Sequence, residues 1–263
     1  MTSVDQTDLD VANRAADAAR SAILPHFRNA QLDTDNKLVD GFDPVTIADR
    51  AAEQAMRAVL AEHRPDDGIL GEEFGETPGS SGRVWVLDPI DGTRGFISGT
   101  PTWGVLIALS DAQGPFLGVI DQPYIGERFS GDRDHAQLVG PLGTSNLRTR
   151  STAELSDAVL FTTFPEVGTE EEGRAFHAVS AQVKLTRYGM DCYAYALLAA
   201  GQVDLVIEAS LNPYDIQAPI AVIQAAGGVV TDWQGGPAHD GGRVLAAANT
   251  QIHAKALEIL RRT

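Results

Sequence analysis

Four separated segments place carboxylates beside glycine, proline or the end of an apolar run. They are TIAD (Asp49), GEEFGE (Glu72 and Glu73), WVLDPIDGTRG (Asp88 and Asp91) and NPYDIQAP (Asp215). In the third, Pro89 keeps Asp88 out of helical geometry, so the chain stays extended through it. Asp91 then opens a turn whose Gly92 and Thr93 amides can face an anion. Carboxylates at a strand end beside such N–H groups suit a hard cation that bridges to a phosphate, and magnesium takes carboxylate and phosphate oxygens plus water. Taken singly, each acid also reads as a helix cap or a surface charge, and Asp215 as the N-cap of the helix behind it.

Hydrophobic periodicity supplies the elements that must carry these acids. Leu9, Ala12, Ala16, Ala19 and Ile23 fall at helical spacing within residues 8 to 24, and Pro25 ends the pattern. A second helix is expected from about Thr46 to Glu62, burying Ala48, Ala52, Met56 and Val59 or Leu60. The polar stretch RNAQLDTDNKLVDGFDPVT between them reads as a short ribbon and a mobile loop around Lys37. GIL and VWVL are short buried strands, and WGVLIALS with FLGVIDQP reads as an antiparallel pair. From about residue 145 strands alternate with helices, which signals a sheet covered by helices. The expected division is an N-terminal α+β half over 1–145 and a C-terminal α/β half over 146–263. The joint, GPLGTSNLR, is short enough that the halves form one compact unit.

Composition narrows the function classes. The chain has 263 residues, 43% of them hydrophobic and 21% charged, with a formal net charge of −16. That charge opposes binding to nucleic acid and to anionic membrane surfaces, which use clustered Lys and Arg. No apolar run reaches the roughly 20 residues of a membrane span. The N-terminus lacks the basic start and apolar centre of a signal peptide, so a cytoplasmic location is expected. One cysteine, Cys192, allows no intramolecular disulfide, and its apolar helix-like setting argues against a nucleophile. The six histidines show no paired ligand spacing, so zinc is not expected.

The blocks GEE, WVLDPIDGTRGF and NPYDIQAP…AGG resemble the signature segments of the inositol monophosphatase superfamily, in the family's order. KLVDGFDPVTIAD resembles its upstream lysine and Asp/Thr segment. The resemblance implies a layered αβαβα sandwich, a mixed α/β fold, and a homodimer acting on a small phosphate ester. It implies that Glu72, Asp88 and the Ile90 carbonyl hold one Mg²⁺, that Asp88, Asp91 and Asp215 hold a second, and that a third lies near Glu72 and Glu73. Asp49 and Thr93 would form a dyad that, with Glu72, orients and deprotonates the attacking water, while the Gly92 and Thr93 amides grip the phosphate. Two metal ions would then favour in-line displacement without a covalent intermediate.

The superfamily includes inositol monophosphatases, fructose-bisphosphatases, nucleotide 3′-phosphatases and histidinol-phosphatases. DGTRGFISGTPTWG and GMDCYAYALLAAGQVD resemble the histidinol-phosphatase branch. Asp191 stands where inositol-cleaving members have a small residue, and Glu208 lies seven residues before Asp215, the family's spacing for a substrate-contacting acid. Two carboxylates there suit a cationic amine through charge-assisted hydrogen bonds, so L-histidinol phosphate is the expected substrate and histidine biosynthesis the setting. Inositol monophosphate, a nucleotide 3′-phosphate and a non-catalytic phosphate-binding role are the alternatives. Asp191 also reads as a helix N-cap spent on backbone amides, Glu208 as a surface charge, and Tyr193 and Tyr195 as core aromatics. Arg94 is expected to touch the phosphate or a neighbouring carboxylate, and Arg187 to order Asp191 or reach across a dimer contact, each with a plain surface salt bridge as the alternative. Trp103 is a candidate for the pocket wall.

Overall fold

The computed structural model describes residues 7–29, 34–36, 44–133 and 135–262. Helices α1 (Asp8–Ile23) and α2 (Ile47–His63) both begin with a capping box, Thr7 with Asp10 and Thr46 with Asp49. Their alanine-rich faces pack together, with Met56 and Leu60 completing the contact of α2. Between them β1 (Thr34–Asn36) and β2 (Pro44–Thr46) pair as the expected antiparallel ribbon. The loop around Lys37 and Gly41 lies outside the described residues.

The first sheet contains β3 (Gly68–Gly71), β4 (Gly75–Thr77), β5 (Val84–Asp91), β6 (Gly104–Asp111), β7 (Gly114–Gln122), β8 (Glu127–Gly131), β9 (Ala136–Gly140) and β10 (Gly143–Asn146). Its order is β10-β9-β8-β7-β6-β5-β3-β4, antiparallel throughout except for the parallel pair β3 and β5. A short helix, α3 (Thr93–Ile97), follows β5. The joint expected near residue 145 is therefore partly strand. All four residues of β10 are exposed, so no apolar alternation marked it in the sequence.

The second half runs β11 (Val159–Thr162), α4 (Glu170–Ser180), β12 (Leu185–Tyr188), α5 (Asp191–Ala199), β13 (Leu205–Leu211), α6 (Pro213–Ala225), β14 (Val229–Thr231), β15 (Gly242–Ala247) and α7 (Thr250–Arg262). Its sheet has the order β12-β11-β13-β15-β14, with the first three strands parallel and the last two joined antiparallel. Helices α1 and α2 cover the outer face of the first sheet, α5 and α6 fill the space between the sheets, and α4 and α7 cover the outer face of the second. The layering is αβαβα, as expected.

Strand β5 shows why the strands read as continuous apolar runs. Trp85 and Leu87 face α1 and α2, while Val86 faces the middle layer, so both faces are buried. Helix α6 crosses β7 and β8 at two glycines. A methyl on Gly118 would lie 2.3 Å from the Ala218 carbonyl oxygen, and one on Gly131 would lie 2.7 Å from Val222 Cα. These contacts fix the height of α6, and with it the place of Asp215 in its first turn. Gly118→Ala is expected to cost about 1–3 kcal/mol through overpacking. Gly173→Ala, in α4 with only Val167 O nearby at 3.6 Å, should be neutral or stabilising by up to about 1 kcal/mol. Denaturant unfolding of the two variants checks both signs.

Candidate active site

Asp88 and Asp91 are three residues apart, a spacing that puts side chains on opposite faces of a regular strand. The structure brings them together with a bulge. Asp88 is opposite Leu106 and Asp91 opposite Gly104, so three steps on β5 match two on β6. Pro89 sits inside the bulge, where its missing N–H costs no ladder bond, and the Ile90 N–H turns back to Asp88 Oδ1 at 3.0 Å. Asp215 arrives from the other half as the third residue of α6. Its Oδ2 accepts the Asn212 N–H at 2.7 Å, so it completes a capping box and is not the N-cap itself. Oxygens of Asp88, Asp91 and Asp215 lie within 4.8 Å of one another, and among the described residues this is the group of side chains that could hold a metal ion.

Electrostatics at this cluster is adverse to anions alone. Burial pushes the Asp88 carboxyl well above the usual range, and the charges of Glu72, Asp91 and Asp215 push it further. Asp91 is raised by burial and then by Asp215 and Asp191, although its Oδ2 accepts the Cys192 N–H at 2.6 Å. A divalent cation would relieve all of these at once, and the all-oxygen donor set fits a hard ion. Glu72 and Ile90 line the same cavity, of about 600 Å³.

Behind the cluster, Asp49 is held by the Thr46 N–H at 2.8 Å and the Thr46 hydroxyl at 2.6 Å. Burial lifts its carboxyl to about 6 against the opposing pull of the Thr46 hydrogen bonds. The Thr93 hydroxyl lies 3.1 Å from the Ile90 carbonyl and 3.5 Å from Asp49 Oδ1. Gly92 adopts φ 84°, and a methyl there would sit 2.7 Å from Asp191 Cγ, so both the turn and the close approach require glycine. The first N–H groups of α3, beginning at Thr93, have no partner within their own helix.

The opposite wall comes from the second sheet, where the same device recurs. Glu208 is opposite Val244 and Leu211 opposite Gly242, again three steps against two, with Ser210 at φ 65°. Glu208 is buried, not a surface charge. Its Oε1 accepts the Thr163 N–H at 2.9 Å and hydroxyl at 2.5 Å, and its Oε2 accepts the Tyr195 hydroxyl at 2.8 Å. Burial raises its pKa against those hydrogen bonds. Asp191 opens α5 at φ 46° and accepts the Thr102 hydroxyl at 3.1 Å, so it is not spent on capping amides. Arg94 stacks its guanidinium 5.0 Å from the centre of the Phe164 ring at the cavity wall.

Other expectations fare differently. Arg187 is not brought to the cavity: it stands exposed on the edge strand β12. Tyr193 points away to Glu127 and Phe129, whereas Tyr195 lines the cavity. Trp103 is wholly buried against Phe27 and Phe96. Cys192 is buried with its thiol pushed well up, consistent with no nucleophilic role. Phe164, Glu166 and Tyr214 line the cavity without having drawn notice in the sequence. The signal for the first two was available, since TFPEVG directly follows the end of β11.

With this geometry in place, the comparisons with known proteins decide the family. The inositol monophosphatase family model matches residues 4–263. The chain belongs to the inositol monophosphatase family. Among its relatives, the chloroplastic bifunctional phosphatase IMPL2 of Arabidopsis thaliana is 43% identical over 98% of this chain and 77% of its own length. A histidinol-phosphatase of Streptomyces coelicolor is 36% identical over 96% of each chain. The solved structure of an inositol monophosphatase from Zymomonas mobilis superposes with a TM-score of 0.85, 41% identity and 97% coverage of both chains. As a member of this family of metal-dependent phosphatases, the chain is a hydrolase of phosphoric monoesters. Among the described residues no helix is long and apolar enough to cross a membrane.

The raised Asp88 and Asp91 give a pH test. A carboxyl raised in the folded state contributes stability that is present at low pH and lost as pH rises through its folded pKa. A bound divalent cation removes that loss. The increase in Tm produced by the cation should therefore be larger at pH 8 than at pH 5.5, and Asp88→Asn should erase most of it. Thermal melts with and without cation at the two pH values measure this.

Proposed function

We propose that this chain is a Mg²⁺-dependent phosphomonoesterase that hydrolyses L-histidinol phosphate to L-histidinol and phosphate. The observation that carries the substrate choice is the pair of acids Asp191 and Glu208, which line one cavity together with the carboxylate cluster. Three hydrogen bonds to Glu208 leave acceptor capacity on a carboxylate, which offers about four lone-pair sites. A primary ammonium beside the ester oxygen matches two carboxylates better than a ring of neutral hydroxyls does. The histidinol-phosphatase relative supports the same choice.

In this reading Asp88, Asp91, Asp215, Glu72 and the Ile90 carbonyl hold two or three Mg²⁺. The ions, when bound, acidify the attacking water and neutralise charge on the phosphate and the leaving oxygen. The chain's own groups do the rest. The Thr93 hydroxyl, fixed between Ile90 O and Asp49, presents its oxygen to a water in the cavity. Asp49 Oδ1, raised to about 6, is the atom that can take up a proton delivered through Thr93. Glu72 is a second acceptor at the cavity wall. The Gly92 and Thr93 amides and Arg94 bind the phosphate, and the close contact of Gly92 with Asp191 sets the ammonium beside the ester.

The test compares hydrolysis of histidinol phosphate, inositol 1-phosphate and a nucleotide 3′-phosphate, each with and without Mg²⁺. Histidinol phosphate should have the highest kcat/KM, and equal or faster turnover of inositol phosphate would refute the choice. Asp191→Ala should lower kcat/KM for histidinol phosphate by roughly 10- to 100-fold, the worth of a hydrogen bond to a charged group. It should leave an aryl phosphate nearly unchanged, and an equal loss on both would show that Asp191 does not read the ammonium.

A further inference from the structure

Helix α2 buries two carboxylates one turn apart. Asp49 reaches toward Thr93, whereas Glu53 is wholly buried beneath the β3–β4 hairpin. Glu53 Oε2 accepts the Glu73 N–H at 2.7 Å, and its Oε1 accepts the Phe74 N–H at 3.3 Å. The Glu72 N–H, one residue earlier, bonds to the Leu87 carbonyl at 3.1 Å. The backbone of Glu72 is thus gripped on its N-terminal side by β5 and on its C-terminal side by Glu53. Gly71 makes room for the arrangement, since a methyl there would fall 1.9 Å from Glu53 Oε1. Arg57 completes the unit. Its Nε bonds to Glu53 at 2.7 Å, and its Nη atoms bond to the Thr77 hydroxyl at 2.9 Å and the Gly75 carbonyl at 2.5 Å.

We propose that Glu53 is a positioning residue that sets Glu72 relative to Asp49 and the Asp88 cluster. Past the Glu72 N–H the turn 72–74 makes its bonds to Glu53 and not to a strand, so the buried carboxylate is the acceptor that fixes the Glu73 and Phe74 amides. Because Asp49 and Glu53 share one rigid helix, the acid beside Thr93 and the turn carrying Glu72 move as one body. Glu72 counts as a cation ligand here on the phosphatase reading above.

The experiment titrates the full chain with Mn²⁺, without substrate, followed by electron paramagnetic resonance. Glu53→Gln keeps the shape but presents a donor where an acceptor is needed, and Arg57→Met removes the anchor while leaving Glu53. Both should weaken Mn²⁺ binding, Glu53→Gln by roughly 10- to 100-fold, the usual effect of losing a partner behind a metal ligand. Amide exchange over residues 71–77 should quicken in cation-free protein. Phe176→Leu, a destabilising change in the outer layer, should lower Tm without moving the Mn²⁺ midpoint. A folded Glu53→Gln with the wild-type midpoint overturns the proposal, and Arg57→Met decides it in the same way should Glu53→Gln fail to fold. A wild type that binds Mn²⁺ but hydrolyses no phosphate ester refutes the phosphatase reading alone, and the Mn²⁺ comparison still judges Glu53.

Discussion

The rest of the structure answers one electrostatic constraint, the gathering of Asp88, Asp91 and Asp215 where the end of β5 meets the first turn of α6. Left to themselves these carboxylates repel one another and resist burial, as the upward shifts of Asp88 and Asp91 record. Each is therefore held by backbone. Asp88 takes the Ile90 amide, Asp91 the Cys192 amide and Asp215 the Asn212 amide. The bond to Asp91 comes from Cys192 in the second half, so the cluster also joins the halves.

Two local devices, each used twice, do the aiming. A three-against-two bulge places Asp88 and Asp91 on one side of β5, and a second one shapes the wall beside Glu208 on β13. A capping box places Asp49 at the head of α2 and Asp215 at the head of α6. In both boxes the acid satisfies an amide that the helix leaves open. One carboxylate oxygen is thereby fixed while the other stays available to the site, as the 3.5 Å approach of Thr93 to Asp49 Oδ1 illustrates.

Much of this was legible in the sequence, because most of it is local. The run VWVL ending on DPIDGT announced a buried strand that stops at a turn, and the helices α1, α2 and α4 to α7 follow from spacing and breakers. Strands β8 to β10 were not legible, since their partly exposed residues show no apolar alternation. Glu53 is hidden in the sequence for the opposite reason. It falls on the same face as Ala48, Ala52 and Met56, and a charge interrupting such a stripe reads as surface until its partners, about 20 residues away, are seen. Arg187 looked close to the site in sequence, but parallel pairing with β11 carries it along an edge strand away from the cavity.

The contact between Gly92 and Asp191 limits how a scaffold of this kind can change at the site. The two residues share a space too small for one more carbon, since a methyl on Gly92 would come within 2.7 Å of Asp191 Cγ. Shrinking the side chain at 191 leaves the turn at Gly92 undisturbed, whereas enlarging it presses directly on the residue that caps α3. Change at this position is therefore asymmetric: loss of the acid opens space, and its regain requires that glycine still be waiting opposite.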